Sequence, residues 1–502
     1  MSPGSKSKHS FFSVHQKVHP RIVHGRFARW RVAALFLTLG VLYGLPWLAW
    51  GDRQAFLLDL PARKFYLFGL VLWPQDLIYL TALLVIAALA LFLFTALAGR
   101  VWCGYACPQT VFTQMLVWIE RWVEGDRASQ IRLRRDGFTL PRTTKLVVRW
   151  LLWIVFALFT AFSTIGSFTP IRELGGRILA ASLGPWETFF LGFVVVAILL
   201  FAGKMREQVC IYMCPYARFQ SAMFDRNTLI VSYDGERGEP RGARSRERAP
   251  QRAGANGAGA NGTVANGVAA LGDCVDCTLC VQACPTGIDI RNGLQYQCIA
   301  CTACIDACDE VMDKVGSPRG LVRYTTLNAM EHRPTRILRP RVAAYALLMV
   351  GIIAAVTVAL SRRVPLAFDV LRDRNAPYRE ARDGRIENVY RLKVLNMEEQ
   401  PRSYLLRASG LPGITADFEA GDLDVAAGQV RDVPVRLRVS PEDLHEHSNE
   451  IELELVATDD ARITVKETAR FLGPRPLHEL DDDSDDDSEP SDGGKREKHK
   501  GS

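Results

Sequence analysis

Twelve cysteines are the residues of this 502-residue chain whose type and spacing could do chemistry, and none stands alone. Eight lie in two runs, CVDCTLCVQACP with Cys274, Cys277, Cys280 and Cys284, and CIACTACIDAC with Cys298, Cys301, Cys304 and Cys308. The other four form pairs in CGYACPQTVF (Cys103, Cys107) and CIYMCPYARF (Cys210, Cys214), one pattern, C-x-Y-x-C-P-x-x-x-F, written twice 107 residues apart. Closely set thiolates are soft ligands, suited to iron–sulfur clusters, zinc or Cu(I).

The spacing of the two runs, Cys-x2-Cys-x2-Cys-x3-Cys, resembles a bacterial two-cluster ferredoxin. Zinc motifs rarely show eight cysteines in such a duplication. In the ferredoxin pattern three cysteines of a run wrap one [4Fe–4S] cluster, and the fourth reaches across to the other. That resemblance implies cluster one on Cys274, Cys277, Cys280 and Cys308, and cluster two on Cys298, Cys301, Cys304 and Cys284. Asp309 stands where a proline is expected after the last cysteine. This removes no ligand.

Each remaining pair follows a long apolar run, just past Gly99-Arg100 in one case and Gly203-Lys204 in the other. Residues four apart share one face of a helix, and the proline after the second cysteine must break or restart it. The repeated motif in a repeated setting predicts a duplicated two-span unit whose thiols, Cys103, Cys107, Cys210 and Cys214, converge on one soft site. That site suits Cu(I), zinc or an iron–sulfur cluster. Met213 faces Ala106 at the equivalent place, which argues against an obligatory methionine ligand. Tyr105, Tyr212, Phe112 and Phe219 read as packing residues.

Five apolar runs, near 33–50, 77–99, 150–168, 186–203 and 342–360, approach the about 20 residues needed to cross a bilayer. The ten-residue stretch 65–74 is too short and reads as an interfacial or re-entrant piece. The first 31 residues carry seven Lys or Arg and no acid, the pattern of a cytoplasmic arm rather than a cleavable leader. The 100–149 loop carries nine, whereas loops 51–76 and 169–187 carry three and two. The positive-inside bias therefore predicts a cytoplasmic N-terminus, cytoplasmic cysteines and an external C-terminal part. A reducing compartment favours metal or redox roles over disulfides. The net charge of +7 partly reflects this anchoring, so it gives no reason to invoke nucleic acid.

The fold class expected is a multidomain membrane protein: a five-span α-helical bundle, an inserted α+β dicluster ferredoxin domain and a C-terminal immunoglobulin-like β-sandwich. The expected segments are a basic arm (1–31), two duplicated hairpins (32–204), a cytoplasmic segment with a flexible linker (205–272), the ferredoxin domain (273–330), a fifth span (342–361), a periplasmic β domain (364–475) and a charged tail (476–502). Within 236–272 a run rich in Gly, Ala, Asn and Arg cannot bury a core. Over 386–472 apolar and polar residues alternate between turn residues, which is the signature of antiparallel strands.

Two C-x-x-x-C-P hairpins, a dicluster ferredoxin, a last span and an outer β domain resemble the FixG/RdxA/CcoG family, accessory proteins for assembly of cbb-type cytochrome c oxidase. CDEVMDKVGSPRGLVRY, at 308–324, is similar to the family's sequence there, Asp309 included. The resemblance implies a multi-pass protein of the bacterial inner membrane that holds two [4Fe–4S] clusters. Its implied activity is a cupric reductase, turning Cu(II) into Cu(I) with Cys103, Cys107, Cys210 and Cys214 as the copper-binding, catalytic thiols. The implied partners are a cytoplasmic or quinol electron donor and oxidase assembly factors or copper chaperones. Two other readings stand: a quinol-oxidising conduit feeding a partner reductase, which the hairpin and ferredoxin parts also resemble, and a copper-binding assembly scaffold whose clusters are structural.

Overall fold

The computed structural model describes residues 18–135, 139–243, 271–373, 376–419 and 421–474. Five helices are long and apolar enough to cross a membrane: Arg26–Trp47, Pro74–Ala98, Leu140–Ile165, Pro185–Met205 and Pro340–Ser361. Only 6% of the second and of the fifth is buried within the protein. Such apolar cylinders need hydrocarbon around them, so this is a membrane protein. The third helix is the most enclosed, and its Trp153 and Ala157 pack against Leu116 and Ile198. Glu187, on the first turn of the fourth helix, accepts from the Gly184 N–H (3.0 Å) and pairs with Arg177 (2.6 Å). Its charge is thus spent at the helix end.

The expected interfacial piece at 65–74 is instead a small antiparallel sheet. Strands Phe56–Asp59, Lys64–Leu67 and Leu70–Leu72 pair in order, with Leu67 opposite Leu70. Phe68-Gly69 interrupts the apolar run as a two-residue hairpin loop, which turns the chain back before a helix can form.

The compact unit that holds the first four of these helices and most of the fifth also holds the ferredoxin fold. Helices Leu279–Ala283 and Ala303–Val315 pack on the antiparallel pair Ile230–Tyr233 and Val322–Thr325 around Ile290, Ile305 and Met312. Strand Ile230–Tyr233 lies upstream of the expected start at 273. The flanks of the expected linker are also tied down. Gly272 donates to the Pro240 carbonyl (2.9 Å), Gly242 to that of Cys274 (3.1 Å), and Arg237 pairs with Asp273 (2.5 Å). Residues 244–270 and the charged tail lie outside the described residues.

The second unit, from Thr357, is an immunoglobulin-like sandwich. One sheet orders strands Thr415–Asp417, Val430–Val439, Ile386–Asn396 and Leu366–Arg372. The other orders Asp424–Val425, Arg402–Ser409, Ser448–Ala457 and Thr464–Leu472. Alternate residues such as Leu392, Val433, Val435, Leu453 and Leu455 point inward and are buried. Each contributes about 1.5–3 kcal/mol of apolar burial, in a domain that holds no cysteine.

Candidate functional site

The two thiol pairs are built alike, and not on one helical face. In each, the second cysteine's N–H reaches back five residues, Cys107 to the Trp102 carbonyl (2.9 Å) and Cys214 to that of Val209 (2.8 Å). Such wide turns are rare and cluster at functional sites. Cys107 and Cys214 are then extended, and Pro108 and Pro215 open new helices, Pro108–Glu124 and Pro215–Met223. Proline suits the first helical position, where no N–H is needed. The proline restart thus lifts the second thiol of each pair off the helix that carries the first.

The structure brings the four thiols into one neighbourhood. Burial pushes Cys103 and Cys210 up to about 12, and thiols of the other repeat add to the shift, Cys210 and Cys214 acting on Cys103, and Cys107 on Cys210. Arg100 opposes the shift at both. The Cys103 thiol donates to Gln220 Oε1 (3.3 Å), and the buried Gln220 amide donates to Thr95 Oγ1 (3.2 Å).

Arg100 ties this neighbourhood to the ferredoxin. Its buried guanidinium donates to the carbonyls of Tyr296 and Cys298 in the ferredoxin and to that of Ala217 in the second repeat. Gly104, inside the first C-x-x-x-C, closes the approach. A Cβ there would lie 2.8 Å from the Ile299 carbonyl oxygen and 2.9 Å from Cys301 Cα. Only glycine lets the backbones meet so closely. Tyr105 adds a hydroxyl contact to Thr302 Oγ1 (2.8 Å). The second copy has Ile211 where the first has Gly104, and its Tyr212 is exposed, so the repeats are not equivalent. The aromatics split in the same way: Phe112 packs against Phe156, while Phe219 is exposed.

The fourth thiol of each ferredoxin run lies near thiols of the other run. Cys308 is pushed up to about 12 by burial and then by Cys280, with Cys274 adding to it. Cys304, also raised chiefly by burial, feels Cys301, Cys298, Cys284 and Cys280. The cysteine loops suit an iron–sulfur cluster on local grounds. Asp276 and Thr278 flank Cys277 with positive φ (52° and 57°), and Ala300 and Thr302 flank Cys301 likewise (52° and 61°). Alternating left-handed residues turn successive N–H groups into an anion-binding nest, the usual cradle of such clusters. No three His, Cys, Asp or Glu among the described residues close around one ion position, in the ferredoxin or in the quartet. An iron–sulfur cube holds its thiolates farther apart than a single ion does, so the spacing of the ferredoxin thiols suits cubes.

Sequence reasoning singled out every cysteine but missed Arg100, Gln220 and Gly104 as site residues. The one local signal was the Gly-then-cation step before each pair, Gly99-Arg100 and Gly203-Lys204.

Comparison with known proteins places these parts. Residues 205–327 match a family model described as a 4Fe-4S dicluster domain, and residues 80–125 match a 4Fe-4S binding domain. Residues 356–474 match the Ig-like fold at the C-terminus of FixG. Protein RdxB of Cereibacter sphaeroides is 38% identical over 83% of this chain and 87% of its own length. Protein RdxA of the same organism is 39% identical over 82% and 86%. Nitrogen fixation protein FixG of Rhizobium meliloti is 37% identical over 80% and 81%.

Proposed function

This chain belongs to the FixG/RdxA family of membrane iron–sulfur redox proteins, and we propose that it is a cupric reductase serving assembly of a cbb-type cytochrome c oxidase. It works in the bacterial inner membrane, with the N-terminus and clusters in the cytoplasm and the β domain in the periplasm, as the charge bias favours. A cytoplasmic or quinol donor loads the ferredoxin, and copper chaperones or assembly factors receive the product.

The observation that carries this reading is the seat of Gly104 on residues 299–301, which sets the thiol quartet against the cluster-two loop. When bound, two [4Fe–4S] clusters supply single electrons at that loop. Cys274, Cys277, Cys280 and Cys308 would hold one, and Cys298, Cys301, Cys304 and Cys284 the other. Cys103, Cys107, Cys210 and Cys214 receive Cu(II). Thiolates favour Cu(I), so binding pulls a one-electron reduction forward. Burial keeps Cys103 and Cys210 protonated, so copper must displace their protons as it binds.

One observation favours a second reading. The 4Fe-4S binding model at 80–125 spans Cys103 and Cys107 and no other cysteine, which fits an additional cluster at the quartet. Metal analysis of anaerobically purified protein separates the two. The cupric reductase predicts about 8 Fe and 8 sulfide per chain, and the additional cluster about 12 of each. Replacing all four quartet cysteines by serine leaves iron unchanged on the first reading and removes about 4 Fe on the second.

A further inference from the structure

A cavity of about 1000 Å³ lies between residues 18–35, helix Pro108–Glu124 and the ferredoxin helix Ala303–Val315. Its size is the upper end of small-molecule sites. Cys301 and Cys210 both stand in its wall, and Leu35 of the first span lines it too. It therefore touches the cluster-two loop, the thiol quartet and the membrane helix at once.

Its charges do not cancel. The acids of the ferredoxin wall are already engaged. Asp306 accepts from the N–H groups of Phe27 (3.2 Å) and Ala28 (2.6 Å), and Asp309 from that of Gly320 (2.9 Å). Glu310 pairs with Lys314 (2.5 Å) and Asp313 with Arg319 (2.7 Å). Of the lining arginines, Arg26, Arg29 and Arg31 make no ion pair among the described residues, and Arg31 donates to the Cys301 carbonyl. Near Arg121 the acid is Glu120, which Arg206 already holds at 2.7 Å. Burial pulls Arg121 below the usual guanidinium range, and its neighbours Arg31 and Arg206 add to the shift. Seven arginines line the cavity against five carboxylates, Glu207, Asp306, Asp309, Glu310 and Asp313, and guanidinium groups in excess are the arrangement that receives phosphate, whose oxygens match their paired donors.

We propose that this cavity binds a phosphate-bearing molecule, with its phosphate oxygens held by Arg26, Arg29, Arg31 and Arg121. Two sources share that chemistry: the headgroup of an anionic phospholipid entering past Leu35, and a soluble nucleotide such as flavin mononucleotide entering from the water side. Either would sit beside Cys301, and neither depends on what the quartet reduces.

The test uses the full chain in nanodiscs of neutral phosphatidylcholine. Flavin mononucleotide binding is followed by fluorescence, with inorganic phosphate as competitor, and phosphatidylglycerol retention by native mass spectrometry. Saturable flavin nucleotide binding displaced by phosphate identifies the soluble source. Phosphatidylglycerol carried through delipidation identifies the lipid. In either case the Arg26→Gln/Arg29→Gln variant should bind at least about tenfold more weakly, as expected on losing two phosphate-facing guanidiniums. These two side chains are exposed, and unchanged cluster absorbance reports that the variant is folded. Absence of both ligands from the wild type, or equal binding by the variant, overturns the proposal. So does a neutral quinone analogue that binds with Arg26→Gln/Arg29→Gln affinity equal to wild type while both phosphate probes fail.

Discussion

At the scale of single residues, Arg100 decides how the two halves of the site feel each other. Its charge acts on Cys298 and on Cys103, Cys210 and Cys214 alike. A positive charge favours the more negative, reduced form of any thiolate-ligated centre beside it. Arg100→Gln should therefore lower the midpoint potential of cluster two, by about 60 mV, which is ~1.4 kcal/mol for a one-electron couple. A redox titration followed by electron paramagnetic resonance measures it, and an unmoved potential would show that the guanidinium only braces the backbone. The raised thiols give a second expectation. Cys103 and Cys210 are pushed up to about 12, so both are protonated at neutral pH and each must shed its proton on binding copper. Cu(I) affinity of the cluster-loaded protein should thus climb with pH from about 6 to about 9, by up to one log unit per pH unit for each proton displaced. A flat competition titration against a Cu(I) chelator would mean that copper goes elsewhere. None of Arg100's role was legible in the sequence. An arginine beside a span end reads as an anchor, and its real partners, Tyr296, Cys298 and Ala217, arrive from more than a hundred residues away.

Elements explain why the same motif is used twice to different ends. The spans and the β strands were legible because apolar length and alternation are local properties. The meander at 56–72 was missed because three strands of three or four residues carry too short a pattern to outvote a ten-residue apolar run. The inequality of the repeats was written in CGYACP against CIYMCP, but its meaning needed the ferredoxin loop to be in place. From that asymmetry, Tyr105→Phe should cost about 1 kcal/mol by removing the hydroxyl contact to Thr302. Tyr212→Phe, at an exposed site, should cost less, within about 0.5 kcal/mol. Gly104→Ala forces a backbone shift at residues 299–301 and should cost about 1–3 kcal/mol. Hydrogen exchange across 298–302 should then rise in Gly104→Ala and Tyr105→Phe and stay flat in Tyr212→Phe. Equal responses from the two tyrosines would contradict unequal docking.

For the whole molecule, the order of parts sets the route of the electron. The chain runs through two spans, a thiol pair, two spans, a second pair and then the ferredoxin, so both pairs and both clusters fall between the second and fifth spans. With five crossings, reporter fusions at residue 20 and after residue 474 should report opposite sides of the membrane, the first cytoplasmic. Matching reporters would remove the five-span topology. The ferredoxin itself was legible because its ligands repeat at fixed short spacing, whereas its docking against the hairpins rests on close approach that no spacing encodes. On the proposed function, electrons leave the ferredoxin through Cys103, Cys107, Cys210 and Cys214 to copper. The direct measurement is anaerobic stopped-flow mixing of cluster-reduced protein with Cu(II) and a Cu(I) chelator, comparing wild type with the variant in which all four cysteines are serine. Wild type should reoxidise both clusters and release about two Cu(I) per chain, one per single-electron cluster, while the variant keeps its iron and stays reduced. Equal rates of cluster reoxidation and Cu(I) release in the two proteins would show that electrons reach copper by another route.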